Sequence, residues 1–120
     1  LSNDYFEKVL QQVLDNIHTH KTAHIYFFSQ GTPVDYPQFS TYKNLHWCLD
    51  MGAQDSFLHM VYADILITSK SSFSYKPALL NRGVKICPRN FWHEYPSTPD
   101  WILAENDGSL EINRLKSLFR

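Results

Sequence analysis

The chain has 120 residues, of which 43% are hydrophobic and 15% aromatic, and its formal net charge is −1. A domain of this size can bury a substantial core. The near-zero charge excludes the broad basic surface that attracts nucleic acids or anionic membranes. No apolar run approaches the roughly 20 residues that span a bilayer. We therefore expect a single domain over residues 1–120, with no nucleic-acid partner and no membrane contact.

Hydrophobic periodicity divides the chain into alternating helices and strands. The predicted helices span Asp4–His18, Asp55–Ala63, Tyr75–Leu80 and Ser109–Arg120. The predicted strands span His24–Ser29, Leu45–Leu49, Asp64–Thr68, Val84–Cys87 and Trp101–Ala104. This alternation favours an α/β fold, namely a three-layer, mostly parallel, Rossmann-like sheet of about five strands with flanking helices.

Three local expectations accompany these elements. Asn3 or Asp4 is the predicted cap of the first helix, and Asp55 is the predicted cap of the second. The apolar face of that second helix is predicted to hold Phe57, Leu58, Val61 and Tyr62. The segment Arg89–Pro96 is a loop dense in aromatic residues, so it must pack either on its own domain or on a ligand.

The sequence offers no strong metal-binding pattern. Cys48 and Cys87, the only cysteines, fall in predicted buried strands and belong to no Cys-x-x-Cys pair. His18 and His20 fit a solvated loop better than a metal pair. No Asp-x-Asp sequence is present. We therefore predict that no metal is required.

Ligands of parallel α/β folds bind beyond the carboxyl ends of the strands. Four segments follow those ends here: Ser29–Gly31, Asp50–Asp55, Ser69–Ser74 and Pro88–His93. We expect all four to converge on one edge of the sheet, which is the predicted site.

The segment Ser69–Ser74, which we call the serine turn, has serine at four of its six positions. It joins the central strand to a helix, whose first amides lack internal partners and whose dipole favours an anion. Proline is tolerated in the first helical turn only, so Pro77 places the N-cap within the turn. The candidate N-caps are Ser72, Phe73 and Ser74. Capping alone and anion binding are both open interpretations of these serines.

The chain around the serine turn resembles the donor-binding half of fucosyltransferases, the group of α-1,2 and α-1,6 enzymes and protein O-fucosyltransferases. The α-1,2 enzymes end their central strand in Asn-Ser-Ser-Phe-Ser-Trp-Trp, and Lys70–Lys76 reads Lys-Ser-Ser-Phe-Ser-Tyr-Lys here. They follow the next strand with Pro-Lys-x-Trp-Phe, which is similar to Pro88–Trp92. The resemblance covers roughly Ile25–Ile102.

This resemblance implies one lobe of a glycosyltransferase-B fold and inversion at the anomeric carbon without a metal or other cofactor. It implies a GDP-sugar donor, with GDP-fucose as the first expectation, and a glycan or protein hydroxyl as acceptor. By carry-over, Ser71 and Ser72 hold the donor diphosphate, Phe73 seats the turn, and Asp55 lies near the nucleotide. The compartment stays open between the cytoplasm and, for a type II membrane enzyme, the Golgi lumen.

The chain departs from the family in two places. The family ends its first strand in Ser/Thr-Asp-Asp, whereas Ser29 and Gly31 are the donor-binding candidates at that position here. No segment matches the family's His-x-Arg or Arg-Arg sequence, whose arginines lie in the other part of the enzyme and neutralise the departing diphosphate. The resemblance therefore implies a lobe of a longer two-lobed or multidomain enzyme, inactive alone, whose partner is the missing acceptor lobe.

Candidates for the remaining roles lie near the strand tips. His93 and Glu94 are the candidate general bases for the acceptor hydroxyl. Lys70, Lys76 and Arg89 are the candidate sources of positive charge beside the diphosphate.

Two other classes of function remain in view. A non-catalytic α/β module that binds a nucleotide, a phosphate or a partner protein is the main alternative to a transferase. A small phosphotransfer domain is disfavoured, because the chain has neither a P-loop nor an acidic cluster after its first strand.

Overall fold

The computed structural model describes residues 2–17 and 22–118. Its α-helices are α1 (Asn3–Asn16), α2 (Ala53–Tyr62), α3 (Ser72–Leu80) and α4 (Ile112–Leu118). Its strands are β1 (Ile25–Ser29), β2 (Leu45–Leu49), β3 (Ile65–Ile67), β4 (Val84–Pro88) and β5 (Trp101–Ala104). The predicted loop histidines, His18 and His20, and the last two residues of the predicted C-terminal helix lie outside the described residues. None of the described helices has the length and apolar content needed to cross a membrane.

The five strands form two parallel sheets, so the α/β class with parallel strands is confirmed, whereas the joining of all five strands in one sheet stays a prediction. One sheet pairs β1 with β2, with Ile25 opposite Leu45. The other has the order β3-β4-β5. Side chains rather than backbone hydrogen bonds join the two sheets, because Phe28 of β1 packs against the core cluster that contains Leu66 of β3.

A cavity of about 2240 Å³ lies between the two sheets. Every residue of β1 and of β3 lines this cavity, whereas β2 contributes none of the described lining residues. Each of these two strands therefore turns an edge without a strand partner towards the same space.

Strand β4 is the centre of the larger sheet, and all five of its residues are buried. Alternate side chains of a strand point to opposite faces. Val84 and Ile86 accordingly pack with residues of α1 and α4. Cys87 packs on the other side with Met60 of α2 and Ala78 of α3. Helices thus cover both faces of the β3-β4-β5 sheet.

The two-stranded sheet is less buried than the sequence predicts. The apolar run from His24 predicts a fully buried strand, yet β1 begins at Ile25 and the side chain of Tyr26 is 47% exposed. A strand that has a partner on one edge only and a packed surface on one face only leaves its alternate side chains in solvent.

Helix α1 follows its predicted stripe, and Tyr5, Val9 and Val13 are buried. Asn3 and Asp4 were the predicted caps of this helix, and neither of them is the cap. The helix begins earlier, because the hydroxyl of Ser2 accepts a hydrogen bond from the Tyr5 amide at 3.4 Å.

Helix α2 differs from the prediction in both its cap and its buried face. Gly52 is the N-cap and Asp55 lies inside the first turn. The buried face holds Ser56 and Met60, which are one turn apart. Leu58 and Tyr62, predicted to be on the apolar face, are exposed. The reason is tertiary packing, because Met60 of this face packs in one core cluster with Ala78 of α3.

Candidate functional site

The serine turn leads from β3 into α3, which begins at Ser72, three residues before the predicted start at Tyr75. Ser71 has an extended backbone and is the N-cap, with its hydroxyl accepting from the Ser74 amide at 3.2 Å. The predicted caps Ser72, Phe73 and Ser74 are therefore wrong. The prediction failed because Pro77 is tolerated deeper in the helix, where it is buried and removes only the N–H that would donate to the Phe73 carbonyl.

Three hydroxyls of the turn form one hydrogen-bonded cluster. The Oγ atoms of Ser69 and Ser71 are 2.9 Å apart, and those of Ser71 and Ser74 are 3.0 Å apart. The buried Ser74 hydroxyl also lies 3.2 Å from the carbonyl oxygens of both Ser69 and Ser71, either of which can accept its single proton. Ser74 therefore holds the turn closed, and the backbone of the turn is fixed before any ligand arrives.

The backbone amides of this turn are largely unused. Within residues 2–17 and 22–118, the amides of Lys70–Phe73 donate to no protein acceptor. Ser71 and Ser72 are half-buried, so the turn is reachable from solvent. Consecutive free N–H groups at the positive end of a helix dipole are the donors that an anion requires.

Ser72 is the hydroxyl of the turn that lies outside the cluster, and it contacts His93 instead. Its Oγ is 3.2 Å from Nε2 of His93. The imidazole stacks on Tyr75 of α3 with ring centroids 4.5 Å apart and planes 6° apart. The indole of Trp92 also packs against the imidazole, with ring centroids 3.8 Å apart. The ring is therefore held in place by two aromatic neighbours with Nε2 directed at the turn.

The aromatic loop packs on its own domain, which settles one of the two alternatives that the sequence leaves open. The Tyr75 hydroxyl donates to the Glu94 carbonyl at 2.6 Å, and the Tyr95 hydroxyl donates to the Pro88 carbonyl at 2.7 Å. The indole of Trp92 nevertheless remains 77% exposed. The loop thus presents one large aromatic surface to solvent next to the imidazole.

The predicted residues at the end of β1 are engaged within their own loop. Ser29 Oγ lies 2.6 Å from the hydroxyl of Tyr36, which itself donates to the Gln30 carbonyl at 2.6 Å. A tyrosine hydroxyl has one proton, so Ser29 must be the donor in their contact. Gly31 has φ of 98°, and a side chain there would lie 2.5 Å from the Asp35 carboxylate. The turn itself requires this glycine.

The remaining predicted residues occupy different surroundings. Ser29 lines the inter-sheet cavity together with Ser69 and Ser74, so the ends of β1 and β3 share one space. Asp55 is exposed in the first turn of α2 and has no hydrogen bond or ion pair to the serine turn among the described residues. The Glu94 side chain is also exposed, and its backbone carbonyl makes the contact with α3.

Phe73 and the candidate cations lie at the surface. Phe73 is the second residue of α3 and its side chain is 46% exposed. Lys70 and Lys76 are exposed, whereas Arg89 forms an ion pair with Glu105, in which Nε and Oε1 are 2.7 Å apart. The two lysines therefore have charge available beside the turn, and the charge of Arg89 is balanced by its partner.

Sequence reasoning missed the role of Tyr75. Its ring positions His93 and its hydroxyl anchors the loop, yet it reads in the sequence as an ordinary residue of a helix. The signal available was the aromatic density of the loop, which required a packing partner on a neighbouring element.

Neither cysteine nor a metal cluster adds chemistry to the site. Burial raises the pKa of the Cys87 thiol to about 11 and also raises the pKa of Cys48, so neither is a reactive thiolate near neutral pH. Over the described ranges, no group of three or more His, Cys, Asp or Glu side chains is placed to hold a metal ion.

Compared with models of protein families, with curated proteins and with solved structures, the chain gives no significant match. The fucosyltransferase resemblance therefore rests on the residues of this chain, chiefly Lys70–Lys76 and Pro88–Trp92.

Proposed function

We propose that this chain is the nucleotide-sugar-binding lobe of an inverting glycosyltransferase, with a GDP-sugar, in the first instance GDP-fucose, as its donor. The observation that carries this proposal is the run of free backbone amides over Lys70–Phe73. The hydroxyl of Ser72 and the imidazole of His93 lie beside these amides. A diphosphate is an anion of the size and charge that such a run of donors binds.

The donor diphosphate would lie across the N-terminus of α3. The amides of the turn and the Ser72 hydroxyl would donate to its oxygens, while Lys70 supplies charge at the rim. These donors are fixed by the Ser69–Ser74 cluster, so they need not reorganise as negative charge develops on the leaving group. The reaction would be a direct displacement by an acceptor hydroxyl at the anomeric carbon.

His93 is better placed than Glu94 to move a proton at this site. Its Nε2 is directed at the Ser72 hydroxyl, whereas the Glu94 side chain points into solvent without a contact to the turn. Geometry within hydrogen-bond reach is the first requirement for a general acid or base. The arginines that neutralise the diphosphate in the resembled family would come from an acceptor lobe, with which this chain would form the complete site.

The fold of the working lobe would be the three-layer, Rossmann-like arrangement. Pairing β1 with β3 across the cavity would join the two sheets in the order β2-β1-β3-β4-β5, and the facing edges of these strands support this. Hydrogen exchange of the backbone amides tests whether β1 and β3 pair. Slow exchange of the backbone amides in both β1 and β3 supports it, and fast exchange along the facing edges contradicts it.

Calorimetric titration with GDP and GDP-fucose tests the function, with UDP and ADP as controls for the base. The variants are Ser72→Ala and the double Ser71→Ala/Ser72→Ala chain, and Ser117→Ala on the exposed face of α4 is the matched control. A hydrogen bond to a charged group is worth about 1.5–3 kcal/mol. Affinity should therefore fall roughly tenfold to over a hundredfold in the site variants.

Equal GDP affinity of the wild type and the double variant would contradict this proposal. The main alternative, a non-catalytic α/β binding module, predicts an intact serine turn with no nucleotide affinity. A folded wild-type protein that binds none of GDP, UDP and ADP would favour that alternative. Thermal unfolding of each variant separates a lost ligand contact from a lost cap.

A further inference from the structure

Two histidines meet at the amino end of the β1-β2 sheet, one directly before β1 and the other within β2. Nδ1 of His24 lies 2.9 Å from Nε2 of His46, and their rings stack with centroids 5.2 Å apart. Both side chains are exposed. This pair is at the opposite end of β1 from Ser29, so it is separate from the serine turn and from the function proposed above.

The distance between these two nitrogens suits one class of metal ion. Metal–imidazole bonds are about 2.0–2.1 Å long. Two nitrogens at a right angle around such a metal are about 2.9 Å apart, and a tetrahedral angle would separate them by about 3.3 Å. Right angles between neighbouring ligands occur in octahedral sites and in the square-planar and tetragonal geometries of Cu²⁺ and Ni²⁺, and of these ions Cu²⁺ and Ni²⁺ favour nitrogen ligands.

We propose that His24 and His46 form a two-histidine site for Cu²⁺, with solvent water completing the coordination. Imidazole suits this ion, and Cu²⁺ stands highest in the affinity order of the divalent first-row metals. The site rests on two protein ligands, in keeping with the absence of larger ligand clusters in the described part of the chain.

The pair is held in place before any metal binds. The Tyr26 ring stacks on His46 with centroids 4.7 Å apart and planes 19° apart. Backbone pairing also fixes the positions, because Tyr26 is the register partner of His46 in the neighbouring strand. A ligand pair that is already oriented loses less conformational entropy when it binds.

Metal binding replaces the hydrogen bond between the rings. In that bond one nitrogen carries the proton and the other accepts it. The metal needs the lone pairs of both nitrogens, so the donor ring moves its proton to its other ring nitrogen. Two metal–nitrogen bonds form, one hydrogen bond breaks, and no proton leaves the protein when both rings are neutral.

Titration of the whole 120-residue chain with Cu²⁺, followed by electron paramagnetic resonance, tests the site. The wild type is expected to bind one ion with hyperfine structure from two nitrogens. His24→Ala and His46→Ala should each weaken binding at least about tenfold, because each removes one arm of a bidentate site. The Cu²⁺ spectrum of each variant should also show hyperfine structure from one nitrogen instead of two. Ni²⁺, which does not oxidise thiols, is the second probe.

His59→Ala is the matched control, since His59 is another exposed histidine that contacts Tyr26 but not the pair. Its variant should bind Cu²⁺ as the wild type does. His24→Gln serves as a second variant if His46→Ala fails to fold, because His24 lies outside the strand. Unchanged Cu²⁺ affinity in the His24 and His46 variants would overturn the proposal. Loss of binding only when His18 and His20 are replaced would overturn it as well.

Discussion

The two ends of α3 differ in how their polar groups are used. At the N-terminus, the amides of Lys70–Phe73 have no protein acceptor among the described residues, and the hydroxyls beside them are within reach of solvent. At the C-terminus, Asn81 is buried and every polar atom of its side chain is bonded. The difference leaves one end of the helix anchored by side-chain hydrogen bonds and the other end, which we call the open end, with backbone amides that are unbonded in the described chain.

The anchor is built around Asn81. Its side-chain nitrogen lies 2.8–3.0 Å from the carbonyl oxygens of Met60, Val61 and Ala63, so its two N–H groups are shared among three acceptors at the end of α2. Its side-chain oxygen accepts from the Gly83 amide at 2.7 Å. One side chain therefore ties the end of α3 to the end of α2 and to the start of β4.

Lys85 completes the anchor from within β4. Its side chain is 2% exposed, and its ammonium donates to the carbonyls of Asn81 and Gly83 at 2.9 Å each. It also forms an ion pair with Asp100, whose side chain is 37% exposed. A buried ammonium needs all of these partners, because an unpaired buried charge is costly.

The largest expected effect comes from removing this ammonium. Lys85→Met leaves the carbonyls of Asn81 and Gly83 and the partly exposed Asp100 without their donor, and each buried polar group left unsatisfied costs about 1–3 kcal/mol. Urea unfolding measures the loss, with the exposed Lys116→Met as the matched control, which should change stability by less than about 0.5 kcal/mol. A loss no greater than that of Lys116→Met would mean that the anchor does not depend on the charge.

Gly83→Ala tests the close approach of the chain within the anchor. A methyl group at Gly83 would overlap the carbonyl oxygen of Asp64. Backbone must move to admit it, at a cost of about 1–3 kcal/mol. Gly52→Ala is the comparison, because a methyl group there meets no atom within 4 Å. Thermal unfolding should show the larger loss for Gly83, and equal losses would contradict the packing described for this turn.

At the open end, Ser71 and Ser72 should separate cap from ligand contact. Ser71→Ala removes the hydroxyl that accepts from Ser74, so it should lower stability by about 1 kcal/mol. Ser72→Ala removes no cap and should change stability by less than about 0.5 kcal/mol. Chemical denaturation of both variants checks this order. A larger loss of stability for Ser72→Ala than for Ser71→Ala would contradict the assignment of Ser71 as the cap.

The smallest expected effect is a pH dependence from the anchor. Burial acts to raise the pKa of Asp100, but hydrogen bonds from Lys85 and Thr98 outweigh it, so the pKa lies below its usual value. A lowered folded-state pKa gives stability above the unfolded value of about 3.9, which is lost as the pH falls through the folded-state pKa. Denaturation between pH 7 and pH 2 should show this loss in the wild type. The Asp100→Asn variant should lose less stability over the same pH interval. If the stability of the two proteins falls in parallel with pH, Asp100 is not the source of this pH dependence.

Local sequence signals predicted the elements better than their assembly. The bounds of β2 and β5 agree with the predicted strands, because each is a short apolar run between turn-forming residues. The separation of β1 from β3 could not be predicted, since strand pairing across the chain depends on tertiary packing that no short segment encodes. The cap role predicted for Asp55 was also wrong, because α2 begins at Ala53 with Gly52 as its N-cap.

The serine turn was located correctly from the sequence, while the roles within it were not. Because α3 begins at Ser72, ahead of its predicted start, Ser71 is the cap and the Ser72 hydroxyl contacts His93. The anchor at the other end escaped notice because Lys85 reads as a polar interruption of a strand. Its burial depends on Asp100, fifteen positions away.

The most direct test of the open end is the response of individual backbone amides to GDP. In ¹H–¹⁵N spectra of the labelled chain, titration with millimolar GDP should shift the amide signals of Lys70–Phe73 and leave those of Asn81–Lys85 in place. The Ser72→Ala variant should need more GDP for the same shift. Signals of Lys70–Phe73 that stay unmoved at saturating GDP, or shifts confined to the Asn81–Lys85 end, would contradict the assignment of this turn as the nucleotide site.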